Sequence, residues 1–215
     1  MPVQNFLSLG GVVMIPLIAL SILALMLILE RLIFWGRITG RQTRIAQEAI
    51  ALYARNPAQA FQLLKRNQQL PIARVFLAAL QLEQANPDDF RLALETAAQA
   101  ELPTLKRFNT IFETVISVAP LLGLLGTILG LMEAFAALRV GDIGGTETLD
   151  VTAGISRALI STASGLVVAI STLFFANLFR GLYLRQRALI LEYGGHLELL
   201  HRRYHRAGGA PYAAP

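Results

Sequence analysis

Long stretches of this chain carry no charge. Residues 6–29, 114–132 and 158–179 contain no Asp, Glu, Lys or Arg. A helix needs about 20 mostly apolar residues to cross the ~30 Å hydrocarbon core of a bilayer. Three such stretches predict an all-α integral membrane protein with three spans. The expected organisation is an N-terminal segment and first span (1–36), a helical insert (37–109), a second span (110–137) and a short glycine-containing loop (138–152). A third span (153–179), a helical tail (180–206) and a disordered end (207–215) complete it.

Between the spans the punctuation is helical. Asn56-Pro57 reads as an N-cap followed by proline at the first helical position, and Asn86-Pro87-Asp88-Asp89 repeats it with two acids in the first turn. Pro71 separates two short helices. Phe61, Leu64, Phe76, Leu80, Leu92 and Leu94 are the apolar positions available to join these helices into a bundle. The segment after Pro87 is predicted to run on into the second span with a kink at Pro103. Gly194-Gly195 is predicted to break the helix that continues from the third span. Trp35 is expected at the membrane interface, where amphipathic rings collect. No strand alternation or repeat is present.

A hydropathic pattern also separates the faces of the spans. Advancing ~100° per residue, Gly154, Ala158, Ser161, Thr162, Gly165, Ala169, Thr172 and Ala176 fall in one sector of the third span. Ala119, Pro120, Gly123, Gly126, Thr127, Gly130 and Ala134 group likewise on the second. Thr127 lies ten residues from the outer end of its span and Thr162 ten residues into the next, so the two hydroxyls are expected at one depth. Two readings stand. Small residues at four-residue spacing are an ordinary way for membrane helices to pack, and Ser or Thr can bond its own helix. Alternatively, the hydroxyls line a narrow polar seam.

Charge sets the expected orientation. Of 19 Lys and Arg, eleven lie between Arg31 and Arg107 and six between Arg180 and Arg206. The positive-inside rule puts insert and tail in the cytoplasm, hence an N-out, C-in topology. The net charge of +5 then reflects insertion and lipid, and no nucleic-acid partner is expected. The leader has no Lys or Arg before its apolar run, which argues for a retained anchor rather than a cleaved signal. Ionisable residues within the spans are costly and suggest function. Glu113 lies near the inner end of the second span, within about 40° of Thr127, and also suits pairing with Lys106 or Arg107. Glu133 is expected on the outer rim. Arg157 either snorkels to the outer surface or pairs with Glu133 or a partner's acid. It also forms a polar line with Ser164 and Ser171.

No enzyme constellation is found. There is no cysteine, and the three histidines, His196, His201 and His205, lie in the tail. His201 and His205 share a helical face, but among arginines in a frayed tail they read as a solvated pair rather than a metal site. GLLGTILG lies inside an apolar span and is no phosphate loop. No cofactor and no metal are expected.

The residues of the second and third spans resemble a known signature. Ala119-Pro-Leu-Leu-Gly-Leu-Leu-Gly-Thr127-Ile-Leu-Gly130, with Met132 and Phe135, resembles that of the MotA/TolQ/ExbB proton-channel family. Gly154-Ile-Ser-Arg-Ala-Leu-Ile-Ser-Thr162-Ala-Ser-Gly165-Leu-Val-Val-Ala169-Ile continues it. Met14-Ile-Pro-Leu, Ser21-Ile-Leu-Ala-Leu and Glu30-Arg31-Leu are similar to the first span of the ExbB branch. The resemblance implies a bacterial inner-membrane oligomer, typically a pentamer, whose second and third spans surround a dimer of an ExbD/TolR-type single-span partner. The partner's membrane aspartate would carry the proton, and the recipient of the work would be a TonB-like protein. Thr127 and Thr162 match the family's pore threonines, with Ser161, Gly123, Gly130, Gly165 and Ala169 beside them. Arg157 stands where ExbB and TolQ members often carry glutamate. It cannot shuttle protons, because arginine stays protonated, but it could anchor a partner's carboxylate or set the pore potential.

Overall fold

A computed structural model of the chain describes residues 11–82, 85–139 and 147–206. The expected N-terminal segment through residue 10, residues 140–146 of the expected 138–152 loop and the 207–215 end lie outside the described residues; residues 147–152, expected in the loop, are helical. The described elements are all helical: α1 (Met14–Tyr53), α2 (Pro57–Arg66), α3 (Pro71–Leu80), α4 (Pro87–Leu105), α5 (Asn109–Arg139) and α6 (Glu147–Arg206). Three helical stretches are long and apolar enough to cross a membrane: one in α1, one in α5 and one in α6.

Helix ends follow local chemistry. The Asn56 side chain accepts from the amides of Ala58 and Gln59 at 3.1 and 3.3 Å. Asn86 does the same for Asp88 and Asp89 at 2.9 and 2.8 Å. Each satisfies N–H groups that have no partner within the helix. Pro16 sits in the first turn of α1, where a missing N–H costs nothing. Pro103 lies inside α4 and does not end it. The interruption falls at residues 106–108 instead, where Phe108 takes φ 70°. For a residue with a Cβ this left-handed conformation costs roughly 1–2 kcal/mol, and α5 starts immediately after it.

The chain divides into two compact units. One comprises residues up to Glu30 together with Phe108–Leu178, and the other Arg31–Arg107 together with Phe179 onward. In the second unit α3 is buried almost all round, through Ile72, Ala73, Val75, Phe76, Leu77, Ala79 and Leu80. At ten residues it is half the length a span requires. Its one charged residue, Arg74, reaches Glu101 of α4, with Nε 2.6 Å from Oε1. That bond and the carboxylate charge raise the arginine pKa further above its ordinary value. The first amides of α3 have no helical acceptor, and the buried Gln42 of α1 supplies one, its Oε1 lying 3.2 Å from Ile72 N.

Within this unit α1 and α6 run parallel. Gln47 Nε2 donates to Tyr193 Oη at 2.9 Å, and Tyr53 Oη lies 2.9 Å from His201 Nδ1. Both pairs have nearly the same sequence offset, which fixes direction and register. Buried positions recur at three- and four-residue steps on each helix. Arg31, Trp35, Ile38, Gln42, Ala46, Ala49 and Tyr53 line α1, and Phe179, Tyr183, Gln186, Ile190, Gly194, Leu197 and His201 line α6. This is the spacing of a coiled-coil seam.

Several expectations change here. Gly194-Gly195 does not break α6, which continues to Arg206. Each glycine costs about 1 kcal/mol of helix propensity, and the buried Ile190, Leu197 and His201 on either side outweigh it. Leu92 is 61% exposed, because Phe90 and Leu94, one turn apart, define the buried face of α4. Trp35 is buried in protein at 3% exposure. His201 is buried rather than solvated.

A two-edged seam between α5 and α6 as candidate functional site

In the first unit the small faces of α5 and α6 press against each other. A Cβ added to Gly165 would lie 2.6 Å from the Ala119 carbonyl oxygen and 3.1 Å from Gly123 Cα. One at Gly130 would lie 2.8 Å from the Gly154 oxygen, and one at Gly126 2.6 Å from Ser161 Cβ. Approach this close, to backbone at Gly130 and Gly165 and to the Ser161 side chain at Gly126, leaves no room for a Cβ. The packing reading of the small-residue stripe therefore holds for Gly123, Gly126, Gly130, Gly154 and Gly165. Ala169 is buried beside them, in contact with a cluster that includes Ala119, Met14 and Leu17.

The threonines meet within this seam. Thr127 and Thr162 are hydrogen-bonded hydroxyl to hydroxyl, so the equal depth expected of them is realised as contact. Thr127 Oγ1 also lies 3.2 Å from the Gly123 carbonyl and 3.3 Å from that of Ala158. Thr162 Oγ1 lies 3.0 Å from the Gly123 carbonyl. Ser161 Oγ reaches the same oxygen at 3.3 Å and that of Ala158 at 2.9 Å. Three hydroxyl protons thus share two carbonyl oxygens and one another. A hydroxyl donates once and accepts twice, so several donor patterns fit one heavy-atom arrangement. Protons can be re-aimed here without moving a helix.

The seam has two unlike edges. Around α5, Thr127 lies about 40° to one side of Gly123 and Glu133 about 80° to the other. Around α6, Thr162 lies about 60° to one side of Gly165 and Arg157 about 80° to the other. Glu133 and Arg157 meet on their edge, with Nη1 2.7 Å from Oε2. That edge is covered by α1. Val13 approaches the Gly126 position at 3.6 Å, Met14 and Leu17 pack beside Leu122 and Val168, and residues 11–13 line a groove of about 380 Å³ with Glu133 and Arg157. No helix of the described residues covers the threonine edge. Thr127 and Thr162 are half-buried there, flanked by exposed Leu124, Leu131, Leu159 and Leu166.

These positions sort the candidate charges. Of the readings open for Arg157, pairing with Glu133 is the one observed, away from the threonine edge. Both side chains stay about half exposed, at 42% and 56%. Glu113 is exposed and accepts from Asn109 Nδ2 at 3.4 Å. Lys106, one of its suggested partners, lies over the Tyr183 ring at 5.1 Å. Missed from the sequence were Gln42 and His201. The three- and four-residue recurrence of apolar positions from Phe179 to Leu197 was the available signal for His201, since it extends to that position.

Comparison with known proteins finds relatives along the chain. The profile of the MotA/TolQ/ExbB proton channel family covers residues 67–191, which include both threonines. The biopolymer transport protein ExbB-like 3 of Synechocystis sp. is 57% identical over 91% of this chain and 93% of its own length. ExbB-like 1 of the same organism is 38% identical over 90% of this chain and 76% of its own. The Tol-Pal system protein TolQ of Haemophilus influenzae is 36% identical over 61% of this chain and 59% of its own. With the profile spanning more than half of the chain and relatives aligned along nearly its whole length, the chain belongs to the MotA/TolQ/ExbB proton channel family.

Proposed function

We propose that this chain is the proton-channel subunit of an ExbB-type motor in the bacterial inner membrane, with its N-terminus outside and the C-terminal ends of α1 and α6 in the cytoplasm. Several copies, five in our reading, turn their threonine edges toward a central passage. The passage holds an ExbD/TolR-like partner of one span with a membrane carboxylate. Proton motive force moves that partner, which passes work across the periplasm to a TonB-like protein or an equivalent recipient.

The observation that carries this reading is the uncovered threonine edge. It offers an apolar groove with re-aimable hydroxyls on its floor. That surface suits a mostly apolar helix bearing one acid, whose burial is tolerable only beside hydrogen-bonding groups. On this reading Thr127, Thr162 and Ser161 serve the proton, the glycines and Ala169 hold the seam, and Arg157 and Glu133 tie its outer ends on the α1 side. Glu113 stands at the inner mouth.

A second reading has its own support. All three hydroxyls also reach backbone carbonyls, which suffices for a non-conducting scaffold. Similarity to TolQ leaves a role in envelope maintenance open alongside biopolymer transport. Liposomes carrying the complex separate channel from scaffold. The channel predicts a pH-gradient-driven proton flux that requires the partner. Silence in the presence of the correct partner supports the scaffold.

A further inference from the structure

His201 is the most enclosed titratable side chain of the α6 end, and nothing in proton conduction through the threonine edge employs it. It is 6% exposed. Its ring stacks on Phe90 of α4 with centroids 3.9 Å apart and planes 7° from parallel. Nε2 lies 3.1 Å from the Ala85 carbonyl oxygen, and Nδ1 lies 2.9 Å from Tyr53 Oη. A carbonyl can only accept, so Nε2 carries the proton. Nδ1 then presents a lone pair to the Tyr53 hydroxyl. One neutral tautomer satisfies every group, and through it α1, α4 and α6 are joined at one point.

We propose that His201 is a pH-responsive latch of the unit formed by residues 31–107 and 179–206: neutral, it ties the last turns of α6 to Tyr53 and Ala85, and protonated, it releases them. With a second proton both ring nitrogens become donors. Nδ1–H can then only donate to the Tyr53 oxygen, so the Tyr53 O–H loses Nδ1 as its acceptor and must turn its hydrogen away. Neither hydrogen-bond partner of the ring carries a charge to offset the new cation.

The surrounding charges do not rescue it. From α6, His205 stands with its ring 6.5 Å away, and a second cation there opposes the first. Glu198 bonds Arg202 at 2.9 Å, and Asp88, beside the α4 cap, bonds the same guanidinium at 3.2 Å. Both carboxylates are thus engaged. Tyr53 of α1 is itself held protonated, its pKa pushed up to about 12 by burial and by Tyr204. Burial likewise holds the His201 pKa below its ordinary value, with the Ala85 bond opposing and His205 reinforcing. The sign follows: the latch is fully closed only well above about pH 6.5, the pKa of unfolded histidine. It weakens as pH falls further, because the released state takes up a proton that the closed state resists.

The test uses the full chain in lipid nanodiscs. Backbone hydrogen exchange of residues 195–206, corrected for intrinsic rates, is followed from pH 8 to pH 5.5 together with the NMR titration of the histidine rings. The latch predicts that exchange rises roughly threefold or more at the acid end and that His201 titrates below the ordinary histidine value of about 6.5. In His201→Gln, where the amide keeps one donor and one acceptor, the corrected exchange should not depend on pH. Tyr53→Phe removes the opposing O–H and should shrink the response if the glutamine variant does not fold. A wild-type response absent or equal to that of His201→Gln, a Tyr53→Phe response undiminished, or His201 titrating at or above the ordinary histidine value would overturn the proposal. None of these readouts uses proton flux, so they stand or fall apart from the channel reading.

Discussion

Replacing both threonines by alanine, Thr127→Ala with Thr162→Ala, is expected to abolish transduction while the oligomer still assembles. Two magnitudes separate these effects. Interhelical hydrogen bonds in membranes contribute about 0.6 kcal/mol each on average, so losing two leaves a seam still held by glycine contacts along its length. A group that takes part in proton transfer contributes typically 10²–10⁴-fold to rate, and two hydroxyls in series leave no relay on the open edge. Partner-dependent proton flux should therefore fall by roughly 100-fold or more with the subunit count unchanged by native mass spectrometry. The Thr→Ser pair restores hydroxyls and should recover flux. Undiminished flux in the alanine pair would assign the hydroxyls to packing alone.

Gly165→Leu should have the largest structural effect in the membrane unit. A leucine gains up to about 1 kcal/mol of helix propensity over glycine, which alone would stabilise α6. Sterics oppose it and win. The new Cβ would meet the Ala119 carbonyl oxygen at 2.6 Å and Gly123 Cα at 3.1 Å, both backbone atoms of a helix that cannot yield locally. The helices must part, and with them the three hydroxyls that converge on the Gly123 carbonyl. Overpacking of this kind costs typically 1–3 kcal/mol even where side chains can adjust. The expected result is loss of monodisperse complex in detergent, with flux lost as a consequence. Gly181→Ala is the control, since its Cβ would meet nothing within 4 Å. Equal behaviour of the two variants would contradict the close approach of α5 and α6.

Much of this site can be read from residue spacing. Charge-free length exposes the apolar stretches, and the small-residue rows on α5 and α6 specify which faces can approach closely. The rows alone do not say whether those faces meet each other or a guest. That depends on how far Thr127 and Thr162 lie from the centre of each row, and on which side α1 sits. The position of α1 is a tertiary fact: Val13 against Gly126 leaves no local pattern. The α4–α5 junction was misplaced for a related reason. Pro103 is the conspicuous local breaker, whereas Phe108 in a left-handed conformation carries no sequence mark. His201 shows the converse, because polar type suggested solvent while its place in the three- and four-residue rhythm of α6 placed it inside.

The most direct test of the two-edged seam exploits the absence of cysteine from the chain. Single cysteines at 127 and 162, and at 122 and 161 on the side packed by α1, are introduced into the assembled complex in its membrane and exposed to a small water-soluble thiol reagent and to oxidative cross-linking with a cysteine in the partner's span. The account predicts modification and partner cross-links at 127 and 162 and protection at 122 and 161. Protection at all four, with the partner cross-linking instead to the α1 side, would contradict it.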